Sequence, residues 1–352
     1  LTSELLRLID CSEQDEWKGI ALPLPLFATY HLAAMSLFDK LQPFFVLLSV
    51  LVGLILAQIA ELAPMASALI VPLLAIMLYA TFLPMPLQQV GHAIRNLNVT
   101  TASLGMNFLW TPVLAWGLGA VFLRDAPDLW VGLIMLMVTP CTDWYLVFTS
   151  VAGGDVSLAT ALLPFNLILQ IILLPLYLLV FTRTLVELNP EALFGSILWI
   201  LMLPLLMAVV SRRWASHWWG KTWLHQQVPK ITALQVMCLN VAIIAIFTAE
   251  SGALFERPGL LLQLLPPVVL FFWINFWIAQ ALGRRLQLSY ATRVCLIYTT
   301  LARNSPLSLA IAASTFPDRP LISLTLVIGP LIELPILMVI LQRLRVLRNV
   351  QE

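Results

Sequence analysis

Ten stretches of about 20 residues, almost free of charge, run through this chain at roughly 41–60, 66–86, 101–123, 129–152, 156–181, 192–211, 229–249, 259–282, 289–315 and 320–342. A helix crossing the hydrocarbon core of a bilayer needs about 20 apolar residues. In lipid every backbone polar group must be satisfied internally, so apolar stretches of this length are read as helices. Of 352 residues 61% are hydrophobic and only 11% charged, which is more apolar surface than one soluble core buries. The fold class is therefore an all-α membrane protein with about ten transmembrane helices.

A formal net charge of +1 gives no acidic or basic bias toward a polyelectrolyte partner, and no nucleic-acid role is expected. Four cysteines, Cys11, Cys141, Cys238 and Cys295, lie far apart without a CxxC pair, so neither a zinc site nor a disulfide framework is indicated. Residues 1–36 are expected to form an N-terminal cytoplasmic or interfacial segment, with residues 20–36 interfacial, re-entrant or spanning. Its opening, LTSELLRLIDCSEQDEWK, lacks the basic-then-apolar order of a signal peptide, and the prolines near the start of GIALPLPLFATYHLAAMS favour a lead-in at the interface.

Basic residues set the orientation. One set of connections carries Arg95, Arg212, Arg213, Lys221, Lys230, Arg284 and Arg285, and the C-terminal tail adds Arg343, Arg345 and Arg348; the opposite set carries Arg124, Arg183, Arg257 and Arg319. The positive-inside rule places the richer set and both termini in the cytoplasm of a multi-pass cell-membrane protein. The run RRWASHWWGKTW (212–223) then reads as an interfacial anchor. His31, His92, His217 and His225 all lie outside the ten stretches, which argues against a histidine proton relay.

Two halves of five spans must have inverted topology. Pro140 and Pro164 are 24 residues apart in the fourth and fifth stretches, Pro306 and Pro330 are 24 apart in the ninth and tenth, and NFLW (107–110) matches NFWI (275–278). The expected division is a first five-helix repeat over 37–185 and a second over 186–345. Two proline-bearing polar segments, TPCTDW (139–144) and ARNSPLS (302–308), then fall at equivalent mid-membrane places. Proline frees a helix carbonyl, and polar backbone at that depth is tolerated where it lines a cavity or is buried in protein. Facing broken helices are the expected substrate site of a secondary transporter.

Three ionisable residues lie deep in the stretches: Asp143, Arg303 and Glu333. Each costs about 2.5–3.5 kcal/mol to insert, so each is a functional candidate beside the plainer reading of a static ion pair. An ion pair uses one carboxylate and leaves the second free to hold a proton, so the three are assigned to ion coupling. Thr139, Thr142 and Ser305 flank the breaks, and Asn107, Asn166, Gln170, Asn275 and Asn304 add uncharged polar groups, for which helix-to-helix hydrogen bonding is the plainer role. An enzyme using Cys141 as nucleophile lacks an intramembrane histidine to act as base. No enzymatic activity and no cofactor are expected.

ARNSPLSLAIA (302–312), IGPLIELP (328–335), PCT (140–142) and FNLILQI (165–171) resemble the bile acid/arsenite transporter superfamily, and within it the arsenite efflux permeases. The similarity covers nearly the whole ten-span region. It implies two inverted five-helix repeats interleaved as a panel domain and a core domain, with broken helices four and nine crossing in the core. It implies that Cys141 matches the permease cysteine, a thiolate ligand for As(III), that Glu333 matches a tenth-span glutamate, and that Asn166 and Gln170 match a fifth-span pair. Trivalent arsenic is soft and suits a thiol. Pro140 stands where those permeases carry a basic residue. The bile-acid branch binds sodium with a glutamate and, four residues later, a glutamine, which match Thr299 and Arg303. A fixed guanidinium there favours protons as the coupling ion. The expected function is proton-coupled efflux of arsenite or a related small oxyanion, with Cys141, Thr139, Thr142, Asn304, Ser305, Asn107, Asn166 and Gln170 binding substrate. The alternative on the same fold is a sodium- or proton-coupled symporter of organic anions.

Overall fold

The computed structural model describes residues 37–84, 96–141, 144–182, 185–186, 190–218, 221–256 and 259–351. The segment 1–36 and the pair Thr142–Asp143 lie outside the described residues. Among the described residues the regular elements are helices, joined at one point by an isolated antiparallel bridge.

Helices α1 (Leu37–Leu56) and α2 (Ala63–Phe82) come first. Next are α3 (Leu97–Gly105) and α4 (Thr111–Phe122), continuous through a π-helical turn at Met106–Trp110. The broken pair α5 (Pro127–Met137) and α6 (Trp144–Val151) precedes α7 (Val156–Thr182). After α8 (Pro190–Trp218), α9 (Lys221–Glu256) and α10 (Leu265–Arg285) comes a second broken pair, α11 (Tyr290–Leu301) and α12 (Ser305–Thr315), and then α13 (Pro320–Gln351). Seven of these are long and apolar enough to cross a membrane: α2, the continuous α3–α4, α7, α8, α9, α10 and α13. Each half of the broken pairs has 8 to 12 residues. At about 1.5 Å per residue such a half reaches roughly midway through a ~30 Å core.

Pro164 and Pro330 lie inside continuous helices, whereas the chain between α5 and α6 and between α11 and α12 leaves the helix. The difference is what surrounds each proline. Pro140 follows Thr139, whose hydroxyl turns back on the Met135 and Leu136 carbonyls and closes α5. Pro306 lies in the first turn of α12, where a missing N–H costs nothing, and Asn304 caps that helix by accepting from Leu307 N–H at 3.1 Å.

The π turn has a similar local cause. Pro112 cannot donate to the Phe108 carbonyl four residues back, and the Tyr177 hydroxyl on α7 donates to it instead at 2.5 Å. The wider turn holds Asn107, its neighbour in sequence. Asn275, the expected counterpart in NFWI, sits in regular α-helix and donates to its own helix at Phe271 O. The two motifs therefore differ in local structure.

Packing sorts the helices. α1, α2 and α8 each pack on α9, and α2 packs on α8, while α3–α7 and α10–α13 form a second set. The sets meet where α12 touches α2 and α8, where α13 touches α1 and α9, and where α7 touches α8. Inside the second set α5 and α13 approach closely. A Cβ on Gly132 would lie 2.6 Å from the Thr325 Cβ, and one on Gly329 would run into the Leu136 side chain. That approach brings Glu333, one turn beyond Gly329, to the break after α11. At one end of the bundle an ion pair from Arg319 to Asp128 at 2.7 Å ties the starts of α13 and α5.

Candidate functional site

The two breaks cross each other. Cys141 N–H donates to Ala302 O at 3.0 Å and Asn304 N–H donates to Thr139 O at 2.8 Å, forming the antiparallel bridge of Pro140 with Arg303. Each break satisfies the backbone groups the other leaves open, which is the condition for irregular backbone at membrane depth. Ser308 on α12 reinforces the crossing: its hydroxyl lies 2.6 Å from that of Thr139 and donates to Met135 O at 2.9 Å. Ser305 donates to Leu326 O on α13.

Arg303 occupies the centre with 3% of its surface exposed. Its Nη1 donates to Met137 O at 2.8 Å, its Nε to Leu301 O at 3.2 Å, and its Nη2 to Asn107 Oδ1 at 3.3 Å and to Thr300 O. Met137 ends α5, and Thr300 and Leu301 end α11, so the guanidinium covers the carbonyl ends of both half-helices. Those ends carry the negative poles of the helix dipoles and the orphan acceptors, which is where a cation is stabilised. The Phe271 ring lies 5.2 Å beneath the guanidinium carbon, an added cation–π contact.

Glu333, 4% exposed, accepts the main-chain N–H of Arg303 at 2.9 Å. The link between the two residues therefore runs through the main chain, while the guanidinium turns to carbonyls. Cys141, 5% exposed and outside any disulfide, sits in the break itself, held there by its main-chain bond to Ala302. Asp143, the other expected coupling carboxylate, lies outside the described residues with Thr142.

From the crossing a polar chain runs into α7. Asn107 Nδ2 donates to Thr299 O at 3.0 Å, and Asn166 Nδ2 donates to Thr299 Oγ1 at 3.2 Å. Gln170 follows Asn166 by one turn on the same helix. Arg303, Asn107, Thr299 and Asn166 are thus one connected network, built by α3–α4, α7 and α11. Polarity within an apolar stretch singles out each of these positions from sequence, with Gln170 beside them. Phe271 escapes such a reading because it has no polar group to draw attention. Ser308 is also absent from the sequence-based set, although its place one turn after Asn304 in ARNSPLS is a usable signal.

Sequence comparison places this architecture among known proteins. The chain is 26% identical over 326 residues to an arsenical-resistance protein Acr3 of Corynebacterium glutamicum, covering 87% of this chain and 88% of that one. It is 19% identical to an arsenical-resistance protein Acr3 of Alkaliphilus metalliredigens, covering 88% and 92% of the two chains. It is 24% identical to an uncharacterized sodium-dependent transporter, YocS, of Bacillus subtilis, over 58% of this chain and 61% of that one. The model of the sodium bile acid symporter family matches residues 71–257, more than half of the chain, and the chain belongs to that family.

Proposed function

We propose that this membrane transporter exports arsenite in exchange for protons, by alternating access at the crossing of the two broken helices. The observation that carries the reading is Arg303. Its guanidinium already takes the carbonyls of Met137, Thr300 and Leu301 and the Asn107 amide oxygen, a set of hard oxygen donors that would otherwise suit an alkali cation. A tethered cation at this place leaves proton exchange on a carboxylate as the coupling step. The likeness to two arsenical-resistance proteins, and a buried thiol beside the crossing, support arsenite as cargo. Cys141 would bind arsenic by forming an As–S bond as one As–O bond breaks, the thiol proton and the departing hydroxide leaving as water.

In this reading α1–α7 and α8–α13 are the two inverted repeats. Helices α1, α2, α8 and α9 are the panel, and the remaining helices are the core that moves against it. The division of helix packing into those two sets supports the assignment. Both termini face the cytoplasm. Thr139, Asn304 and Ser305 hold the crossing together, with Thr142 beside Cys141 in the chain, and Asn107, Asn166 and Gln170 supply polar groups toward the cargo. Glu333 and Asp143 exchange the proton. A protonated Glu333 is a weaker acceptor for the Arg303 N–H, so protonation loosens α13 from the crossing and lets the core shift.

Uptake of radiolabelled arsenite into everted vesicles tests this directly. A proton gradient should drive accumulation and a sodium gradient should not. Glu333→Gln or Asp143→Asn should leave arsenite binding measurable and make flux insensitive to the gradient. Proton-driven transport that persists unchanged in both variants would sink the mechanism. Sodium-driven transport by the unmodified protein would favour the organic-anion symporter.

A further inference from the structure

The corner where α8 passes into α9 carries a surface that the transport mechanism does not use. On α8 the exposed residues Leu203, Leu206, Met207 and Val210 recur at steps of three and four, which puts them on one side of the helix. The same spacing continues through Arg213 and Trp214 to His217 and Trp218, all exposed. The rings of Trp214 and Trp218 lie 6.4 Å apart between centroids, and the His217 ring meets Trp218 edge-on at 5.8 Å. This side of α8 is therefore apolar along most of its length and turns cationic and aromatic at its end.

Length identifies what lies along it. From Leu203 to Arg213 is ten residues, or about 15 Å of helix, half of a ~30 Å hydrocarbon core. The apolar part thus spans one leaflet, and Arg213 stands at its edge beside tryptophans of the kind that settle at the interface. Charge identifies the head group. Between Glu191 and Glu250 the sequence has neither Asp nor Glu, while it has Arg212, Arg213, Lys221 and Lys230. Helix α9 begins three positions after α8 ends, packs on it and exposes Lys230. Among the described residues the Arg213 guanidinium meets no carboxylate. A guanidinium takes a phosphate through paired N–H donors. The tryptophans alone would also accept a choline head group, but the neighbouring cations repel it, so the excess positive charge selects a head group with net negative charge.

We propose that an anionic phospholipid binds along this side of α8, its acyl chain on Leu203, Leu206, Met207 and Val210 and its phosphate on Arg213 beside the Trp214–Trp218 pair. Lys230 adds attraction from α9. The site lies on the lipid-facing surface, apart from the crossing, and is independent of the cargo and of the coupling ion. A lipid bound there fixes the depth of the α8–α9 corner in the membrane.

The test is native mass spectrometry of the full-length protein in mild detergent, with phosphatidylglycerol and phosphatidylcholine of identical acyl chains. Phosphatidylglycerol should stay on the protein at detergent concentrations that strip phosphatidylcholine, and it should raise the thermal midpoint. Replacing both cations, Arg213→Gln with Lys230→Gln, should weaken phosphatidylglycerol binding about tenfold or more and remove that rise. The lipid-free midpoint should stay where it is, because both side chains are exposed. Trp218→Leu, which keeps the charges, should weaken the binding by a smaller factor. Arg284→Gln with Arg285→Gln removes two exposed cations from the end of α10, whose last turn has no aromatic residue, and should leave the binding unchanged. Equal retention of the two lipids, unchanged binding in the Arg213/Lys230 variant, or an equal loss in the Arg284/Arg285 variant overturns the proposal. A dimer mass that lipid does not alter and Trp218→Leu abolishes overturns it too, since a second copy of the chain then covers this side of α8.

Discussion

A guanidinium and a thiol at one chain crossing make opposite demands on their surroundings. Arg303 is charged and buried, and it is held by carbonyls at the ends of two half-helices. Removing it leaves those acceptors open, so Arg303→Gln should destabilise the fold by about 3–5 kcal/mol, the usual cost of breaking a buried charged network. The same carbonyls are hard oxygen donors, so sodium at high concentration should recover part of the lost thermal midpoint, whereas choline at equal ionic strength should not. No sodium effect would mean that the carbonyl ends close on one another when the guanidinium is gone. Cys141 is judged by its position in the break. Cys141→Ser should abolish arsenite resistance with the protein still expressed. Cys238→Ala and Cys295→Ala, which remove buried sulfurs packed in helices α9 and α11, should leave resistance near normal and cost about 1 kcal/mol of stability each. Resistance in all three variants would remove the thiol from the site.

Among the elements, the close contact of α5 with α13 matters most, because it sets where Glu333 meets the broken helix. Gly132 has the Thr325 side chain where its own Cβ would be. Gly132→Val should therefore push the helices apart and cost about 1–3 kcal/mol, the range for overpacked cores. The loss should appear as a lower thermal midpoint together with weakened proton dependence, since the Glu333 carboxylate moves with α13. A Gly132→Val protein with unchanged midpoint and unchanged coupling would show that the contact is loose. The breaks themselves are legible from sequence, because proline beside threonine, cysteine and asparagine at mid-span both frees backbone carbonyls and supplies side chains that compete with the helix. The π turn at Met106–Trp110 is not legible in that way. Its cause combines Pro112 with a Tyr177 hydroxyl 69 positions from Phe108, and only the packing of α7 on this turn brings them together.

For the molecule as a whole, the orientation is the statement to check first, because the proposed proton coupling has a direction only once the cytoplasmic side is known. Single cysteines introduced at Ser216 in α8 and Ser251 in α9 and treated with an impermeant reagent in intact cells should react at position 251 and stay protected at 216. Reaction at 216 would reverse the topology. The apolar stretches, the expected orientation and the polar breaks come from sequence alone, because transfer into a bilayer depends on local composition over about 20 residues and on nearby basic charge. The motifs around Pro140, Arg303 and Glu333 also carry the family. What tertiary structure decided is which partner each buried polar group takes. From sequence Arg303 could pair with a carboxylate; in the fold its guanidinium takes oxygens of Met137 and Asn107, 166 and 196 positions away, and Glu333 takes its main-chain N–H. Sequence likewise offers no means of telling Asn166, half satisfied by Thr299, from Gln170, which has no partner among the described residues. In a medium of low dielectric a hydrogen bond depends on what lies within about 3 Å, and that distance is set by how the helices pack.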